Sequence, residues 1–185
     1  MTVFETDRLI VRQWTESDAD VARVFDMMSR WEVARWLGAH PRTLETETEA
    51  RTMMRRWQER ASPDGQQGIW AVDVRDTGVT VGSVLVVPLP GVDDKPTTDI
   101  EVGWHLHPDS WGHGYATEAG RAAIDRAFAA GLSEIFAVIR AGNTPSVAVA
   151  RRLGMTPIGT QTRWYGGIEL DTYRLAADDN RGPAQ

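Results

Sequence analysis

Hydrophobic positions in the first half of the chain switch between the period of a strand and that of a helix. Residues 8–14 alternate in character, which predicts a β-strand. Ser17 then offers a helix N-cap, and apolar residues follow it at helical spacing. Residues 46–60 repeat the helical pattern. Residues 69–75 and 79–87 predict two strands, and the short Asp-Thr-Gly turn between them indicates a hairpin.

The second half of the chain contains a strand–helix–strand unit, followed by another helix and two strands. The predicted elements are strands at 98–107, 135–140, 157–164 and 169–175, and helices at 113–130 and 144–153. A strand–helix–strand unit normally forms a right-handed parallel crossover. We therefore predict one α+β domain around a mixed sheet, spanning residues 1–176. The polar tail at 177–185 is expected to be disordered.

The composition limits the class of protein. The chain has 185 residues, of which 42% are hydrophobic and 25% are charged, the balance of a folded globular domain. No apolar run is long enough to cross a bilayer, and acidic residues stand where a signal peptide needs positive charge. Cysteine is absent, which excludes disulfides and thiolate chemistry. We expect a cytoplasmic protein that does not bind membranes.

Charge and histidine spacing argue against two further kinds of partner. The formal net charge of −6 disfavours nucleic acid and weakly favours a cationic molecule or an amine. His105 and His107 share one face of a strand by its two-residue period. No third ligand stands at a diagnostic spacing from them, so no metal site is predicted.

The most informative segment is a glycine-containing loop between the strand at 98–107 and the long helix. Gly112 and Gly114 stand where that helix begins. Backbone N–H groups at a helix start are unpaired and favour an anion, and a residue without Cβ lets a phosphate approach them. The amides from Gly112 to Thr117 therefore suggest a pyrophosphate seat, although a plain glycine turn has the same pattern. Neither a Walker lysine nor a dinucleotide fingerprint is present.

The loop sequence Trp-Gly-His-Gly-Tyr-Ala-Thr-Glu-Ala at residues 111–119 resembles the acetyl-CoA pyrophosphate motif of GNAT acetyltransferases. In particular it resembles the branch of ribosomal-protein N-terminal acetyltransferases of the RimJ/RimL type. Three further segments resemble the same branch: the opening strand at 6–12, the strand at 100–104, and the Asn-x-x-Ser helix with its Leu-Gly-Met ending at 143–155. These segments extend over nearly the whole chain.

This resemblance implies a mostly antiparallel sheet of about seven strands, flanked by helices and splayed between the fourth and fifth strands. It implies acetyl-CoA as the cosubstrate, no metal, and a primary amine as the acceptor, in a monomer or a homodimer. The pantetheine arm would lie in the splay, where strand amides polarise the thioester carbonyl. The implied acetyl-CoA contacts are Trp104, His105, Leu106, His107, Trp111, Gly112, His113, Gly114, Tyr115, Ala116, Thr117, Asn143, Ser146 and Arg151.

One residue of the loop departs from the family pattern. Asp109 stands where many relatives carry Gln or Arg, and a carboxylate aimed at a pyrophosphate would repel it. We therefore expect the Asp109 side chain to face solvent. The phosphates would then be held by the loop amides together with Arg151 or Arg152, although either arginine could instead be a surface residue.

The proton for the departing thiolate needs a source. The tyrosine that many relatives use aligns with Ala150, which cannot supply one. Ser146 is the remaining hydroxyl, and the resemblance implies that it relays a proton or donates a hydrogen bond to the sulfur. The alternative for Ser146 is a bond to the first helix amides. Asn143 either holds the pantetheine amide or caps the helix.

The acceptor amine must also lose a proton to a base. A glutamate that some relatives place on the following strand is replaced here by Val138. Glu101 and His105 share one face of the strand before the loop. We predict Glu101 as the base, acting directly or through water, although it could instead be a structural polar residue, which is the role we expect for His105.

The sequence leaves the acceptor open among protein or peptide N-termini, amino acids, polyamines and drug-like amines. The acceptor groove is predicted between residues 27–36, 46–60 and 164–167, which the motifs constrain least. Two other functions remain open. The departures from the family pattern are compatible with a catalytically weak acyl-CoA-binding module or sensor, and the donor is equally compatible with another acyl-CoA such as succinyl-CoA.

Overall fold

The sheet determines the architecture. In a computed structural model, which describes residues 1–180, the strands are β1 (Thr2–Glu5), β2 (Leu9–Gln13), β3 (Gly68–Val74), β4 (Thr80–Pro90), β5 (Pro96–Leu106), β6 (Glu134–Ile139), β7 (Thr156–Gln161) and β8 (Leu170–Ala176). They form one sheet in the order β1-β2-β3-β4-β5-β6-β8-β7. Only β5 and β6 pair in parallel among the described strands. The predicted mixed α+β fold is confirmed, with β1 as an additional short edge strand.

The helices are α1 (Asp18–Met28), α2 (Trp31–Ala34), α3 (Glu47–Glu59), α4 (Tyr115–Ala129), α5 (Thr144–Arg152) and α6 (Ala177–Asn180). The Ser17 side chain accepts a hydrogen bond from the Asp20 amide and caps α1, and Thr46 caps α3 in the same way. Within residues 1–180 no helix is long and apolar enough to cross a membrane. The segment predicted as a tail begins with α6, and residues 181–185 lie outside the described part of the chain.

The two faces of the sheet carry separate hydrophobic clusters. One includes Ala123 and Ile124 of α4, and the other includes Val24 of α1. The neighbouring β3 residues Trp70 and Ala71 belong to different clusters, because successive side chains of a strand point to opposite faces. The sheet is therefore covered by α4 on one face and by α1 on the other.

The parallel pair β5–β6 is splayed. Within residues 1–180 its registered pairing is Glu101 opposite Phe136 alone. On its other edge β5 is paired with β4 continuously from Ile100 to Leu106. The β6-facing backbone of residues 102–106 is thus left without a strand partner. This gap is the splay predicted between the fourth and fifth strands, which are β5 and β6 once β1 is counted.

Gly82 permits the close approach of β4 to β5 beside this gap. Its φ is +147°, and a Cβ at this position would overlap the backbone carbonyl oxygen of His105. The β3–β4 register also shifts next to Gly82, which indicates a β-bulge. Any larger residue at this position must push β4 away from β5.

We expect Gly82→Ala to lower the free energy of unfolding by about 2–4 kcal/mol, because the new methyl group meets backbone rather than a movable side chain. Gly131→Ala is the matched control, since Gly131 also has a positive φ of +98° but a Cβ there meets nothing within 4 Å. In that control the free energy of unfolding should fall by only about 1 kcal/mol. Urea unfolding of both variants measures the difference, and equal losses would contradict the steric account.

Candidate active site

A cavity of about 890 Å³ opens where β5 and β6 diverge. Its walls come from β5, the glycine loop, the start of α4, β6 and α5, together with segments 32–38 and 165–170. This volume is typical of sites for small ligands and cofactors. The predicted site residues that line it are Glu101, Trp104, His105, Leu106, Trp111, Gly112, Gly114, Tyr115, Ala116, Thr117, Asn143 and Ser146.

The glycine loop presents uncapped amides to the cavity. Gly112 and Gly114 both have φ of +81°, which favours glycine. Gly114 is the N-cap of α4 and has no side chain to accept from the first-turn amides. A Cβ at Gly112 would meet nothing within 4 Å, so the loop faces open space. The loop therefore fits the diphosphate of coenzyme A, since unpaired amides and the helix dipole both favour an anion.

The opening strand segment braces this loop. The Nε atom of Arg8 donates to Glu118 Oε2 at 2.6 Å, and its Nη1 donates to the His113 carbonyl oxygen at 3.1 Å. The Thr6 hydroxyl donates to Glu118 Oε1 at 2.6 Å. Burial opposes ionisation of Glu118, but the hydrogen bonds from Thr6 and Arg8 prevail and lower its pKa. The motifs at 6–12 and 111–119 are thus two halves of one hydrogen-bonded unit.

Three predicted acetyl-CoA contacts lie outside this cavity. His107 is buried, and its Nε2 lies 3.0 Å from Asp26 Oδ2 of α1, so it ties β5 to α1 instead. His113 is exposed and stacks on Tyr115 with ring centroids 5.4 Å apart. Arg151 is not among the residues that line the cavity, whereas Arg152 is. Arg152 is three residues after Val149, which also lines the cavity, so both lie on one helix face.

Asp109 is directed away from the cavity. Its carboxylate pairs with both terminal nitrogens of Arg23, at 3.0 and 3.1 Å, and its side chain is 53% exposed. The hydrogen bonds from Arg23, and then from Ser110, keep the pKa of Asp109 well below its usual range. The expectation that Asp109 faces solvent is confirmed, and the ion pair with α1 adds a reason for it. Its charge does not point at the phosphate seat.

Glu101 is a buried carboxyl group that lines the cavity, with 8% of its surface exposed. Its Oε2 accepts a hydrogen bond from the Tyr165 hydroxyl at 2.7 Å. Burial raises the pKa of Glu101 to about 7, although the Tyr165 hydrogen bond and the Arg60 charge oppose the rise. A carboxyl group that ionises near neutral pH is suited to general base catalysis.

His105 lines the same cavity but has a different protonation state. Burial lowers the pKa of His105 to about 4, so its ring is neutral at neutral pH. Its Nε2 has no hydrogen-bond partner within residues 1–180, and the ring packs against Trp57 with centroids 5.4 Å apart. His105 is therefore the weaker base of the two candidates on this strand face.

Asn143 and Ser146 meet at the start of α5. The Asn143 Oδ1 accepts from the Ser146 amide at 3.3 Å and caps the helix. In the described part of the chain, neither Nδ2 of Asn143 nor the hydroxyl of Ser146 has a hydrogen-bond partner, and both residues line the cavity. Ala150 is buried in the core away from the cavity. The Ser146 hydroxyl is thus available to a ligand, while position 150 is not.

The sequence did not reveal the role of Tyr165. The loop at 164–167 was predicted as a groove wall, and the only local signal is an aromatic residue before two glycines. None of residues 46–60 lines the cavity, but the predicted wall at 27–36 reaches it as part of segment 32–38. Arg140 holds the end of that segment by donating to the carbonyl oxygens of Gly38 at 2.7 Å and Ala39 at 2.9 Å.

Comparison with known proteins identifies the family. Residues 8–156 match the family described as the acetyltransferase (GNAT) domain. An uncharacterised N-acetyltransferase of Bacillus subtilis, YoaA, is 30% identical over 174 residues, which cover 92% of this chain and 93% of the relative.

Two solved structures hold coenzyme A in a similar fold. RimL, a ribosomal L7/L12 alpha-N-protein acetyltransferase in complex with coenzyme A, aligns with a TM-score of 0.76 and 16% identity over 97% of this chain and 99% of that one. Spermidine N-acetyltransferase from Vibrio cholerae, in complex with CoA and spermine, aligns with a TM-score of 0.70 and 13% identity over 95% and 99%. At these identities the structures establish the fold. The family match and the bacillary relative establish more: this chain is an acyltransferase and belongs to the GNAT acetyltransferase family.

Proposed function

We propose that this protein transfers an acetyl group from acetyl-CoA to a primary amine by direct attack of the amine on the thioester. One observation carries the proposal: a buried carboxyl group with a pKa near neutral, Glu101, lines the same cavity as the uncapped amides at Gly112 and Gly114. A base and an anion seat in one cavity are what a deprotonated amine and a nucleotide thioester require.

At the donor end of the cavity, main-chain groups of the protein would hold coenzyme A. The amides of Gly112 to Thr117 bind the diphosphate, with the Arg152 side chain nearby on α5. The pantetheine amides pair with the free edge of residues 102–106, and Asn143 Nδ2 donates to them. Bound acetyl-CoA supplies an activated acetyl group, and the β5 amides polarise its carbonyl. Ser146 donates a hydrogen bond to the sulfur.

The acceptor end is bounded by segments 32–38 and 165–170, with Glu101 buried between them. The ammonium form of the acceptor loses its proton to Glu101. An α-amine has a pKa of about 8 and a lysine-like amine one of about 10.4, so a carboxylate whose pKa is about 7 deprotonates the α-amine more easily. This comparison favours an α-amine, in a peptide N-terminus or an amino acid, and agrees with the RimJ/RimL-like branch.

Glu101→Gln tests the role of the base. For wild-type protein with acetyl-CoA and a panel of α-amines, we expect kcat/KM to rise with pH through an apparent pKa near 7, because the base must be ionised. In the Gln variant, kcat/KM should no longer rise with pH in this way and should fall by roughly 100-fold or more. Its Kd for CoA should stay unchanged. Thiol release measured from pH 5.5 to 9.5, with CoA titration calorimetry, gives both results.

Three outcomes would each count against a different part of the proposal. A Gln variant with the wild-type rate and pH profile would remove Glu101 as the base. Wild-type protein that binds acetyl-CoA tightly but releases no thiol with any amine would support an acyl-CoA sensor, and turnover with succinyl-CoA alone would change the acyl donor.

Ser146→Ala tests the hydrogen bond to the leaving group. We expect kcat to fall by roughly 10- to 100-fold, because the thiolate loses a donor only as it departs, while the Kd for CoA changes little. Thr144→Ala is the control, since Thr144 belongs to the same helix turn but is exposed and outside the cavity. Steady-state kinetics and CoA binding separate the effects. Equal losses in kcat and in CoA affinity would indicate a binding or capping role for Ser146.

A further inference from the structure

Tyr165 has an unusual backbone conformation for a large side chain. Its φ is +50°, in the left-handed region that glycine favours. A bulky residue there is strained by about 1–3 kcal/mol and persists only where its surroundings fix it. The two residues that follow are glycines, which allow the chain to turn back immediately. The conformation therefore needs an explanation in what the side chain does.

The residue before Tyr165 is anchored to the sheet. Trp164 is 1% exposed, packs against Phe136 and donates from its indole nitrogen to Asp99 Oδ2 at 3.0 Å. Trp164 also forms a β-bridge with Gly91, at the turn between β4 and β5. The anchor for Tyr165 is thus the start of β5, the strand that carries Glu101.

The strained backbone aims the Tyr165 side chain at Glu101. The hydroxyl donates to Oε2 at 2.7 Å, and this is the one hydrogen bond of the Glu101 side chain among residues 1–180. Oε1 is left for a ligand in the cavity. Burial, followed by the adjacent carboxylate, raises the pKa of Tyr165 well above its usual range, so the phenol keeps its proton and acts as a donor only.

Other charged groups also surround Glu101. Arg60, at the end of α3, contributes a favourable charge and donates to the Pro88 carbonyl oxygen at 2.9 Å. Asp99 and His105 share the face of β5 by its alternation. The charged groups on the facing wall of the cavity are Glu32, Arg35 and Arg140. Of these, Arg60 and Tyr165 are the groups that favour the ionised form of Glu101, and Tyr165 alone touches the carboxylate.

Building on the proposed role of Glu101, we propose that Tyr165 is a positioning residue that holds the Glu101 carboxylate by Oε2, presents Oε1 to the acceptor ammonium and stabilises the ionised form of the base. In the proton transfer, the ammonium N–H bond breaks and an O–H bond forms at Oε1. The nitrogen keeps its electron pair for attack on the thioester. Tyr165 neither gains nor loses a proton.

Tyr165→Phe removes the hydroxyl and keeps the ring. Because a hydrogen bond to the ionised form lowers the pKa of an acid, its loss should raise the apparent pKa in the kcat/KM profile by about one unit. At pH 7 the ionised fraction then falls from about a half to about a tenth, which lowers kcat/KM roughly fivefold. Above pH 9 the rate should recover towards that of the wild type.

A second measurement does not depend on turnover. Protein made with ¹³C-carboxyl-labelled glutamate allows the titration of Glu101 to be followed by NMR. The Glu101 signal is assigned by its absence from the Glu101→Gln variant. In Tyr165→Phe the midpoint of this titration should shift to higher pH. Tyr173→Phe is the matched control, because Tyr173 is a buried tyrosine of β8 whose hydroxyl has no hydrogen-bond partner within residues 1–180. In Tyr173→Phe, the Glu101 titration and the pH profile of kcat/KM should match those of the wild type.

The double variant distinguishes this inference from the proposed function. If Tyr165 acts through Glu101, Tyr165→Phe should have no further effect on kcat/KM in the Glu101→Gln background. The inference is overturned if the NMR midpoint is unchanged, or if Tyr165→Phe lowers the rate equally at every pH and in both backgrounds. A fully active Glu101→Gln variant instead removes the proposed base, while the NMR midpoint still reports on the contact.

Discussion

The site depends on the place where the parallel pairing of β5 and β6 stops. Backbone N–H and C=O groups need partners, so a strand edge that is left open inside a fold is either solvated or occupied by a ligand. Here the registered pairing is Glu101 opposite Phe136, and the cavity begins beside that pair. In the proposed function, the open edge gives hydrogen bonds to an extended ligand, while the glycine loop that follows β5 gives amides to its charged end. The proposed donor site is therefore made mostly of main chain, and the Asp109 carboxylate, which pairs with Arg23, takes no part in it.

Burial gives different chemistry to two residues on the same strand face. Desolvation disfavours the charged form of each, so the pKa of Glu101 rises to about 7 and that of His105 falls to about 4. At neutral pH the His105 ring is uncharged, whereas the Glu101 carboxyl group is about half ionised and still exchanges a proton. The sequence places both on one face by simple alternation, whereas their depth in the fold decides which one can act as a base. Tyr165 and Arg60 then limit how far the pKa of Glu101 rises.

Features that rest on local chemistry were predictable from the sequence. The cap at Ser17, the hairpin of β3 and β4 and the parallel crossover through α4 follow from nearby residues. Features that depend on distant contacts were not. The Tyr165–Glu101 hydrogen bond joins residues 64 positions apart, and the helix phase that puts Arg152 rather than Arg151 in the cavity is set by how α5 packs.

The most direct test of the central claim is a crystal structure of the protein with coenzyme A. Our account predicts that the pantetheine amides pair with the β5 edge at residues 102–106, that the diphosphate rests on the amides of Gly112 to Thr117, and that the sulfur lies between Ser146 and Glu101. A complex in which β5 and β6 close the gap by pairing with each other, with the coenzyme bound elsewhere, would contradict it.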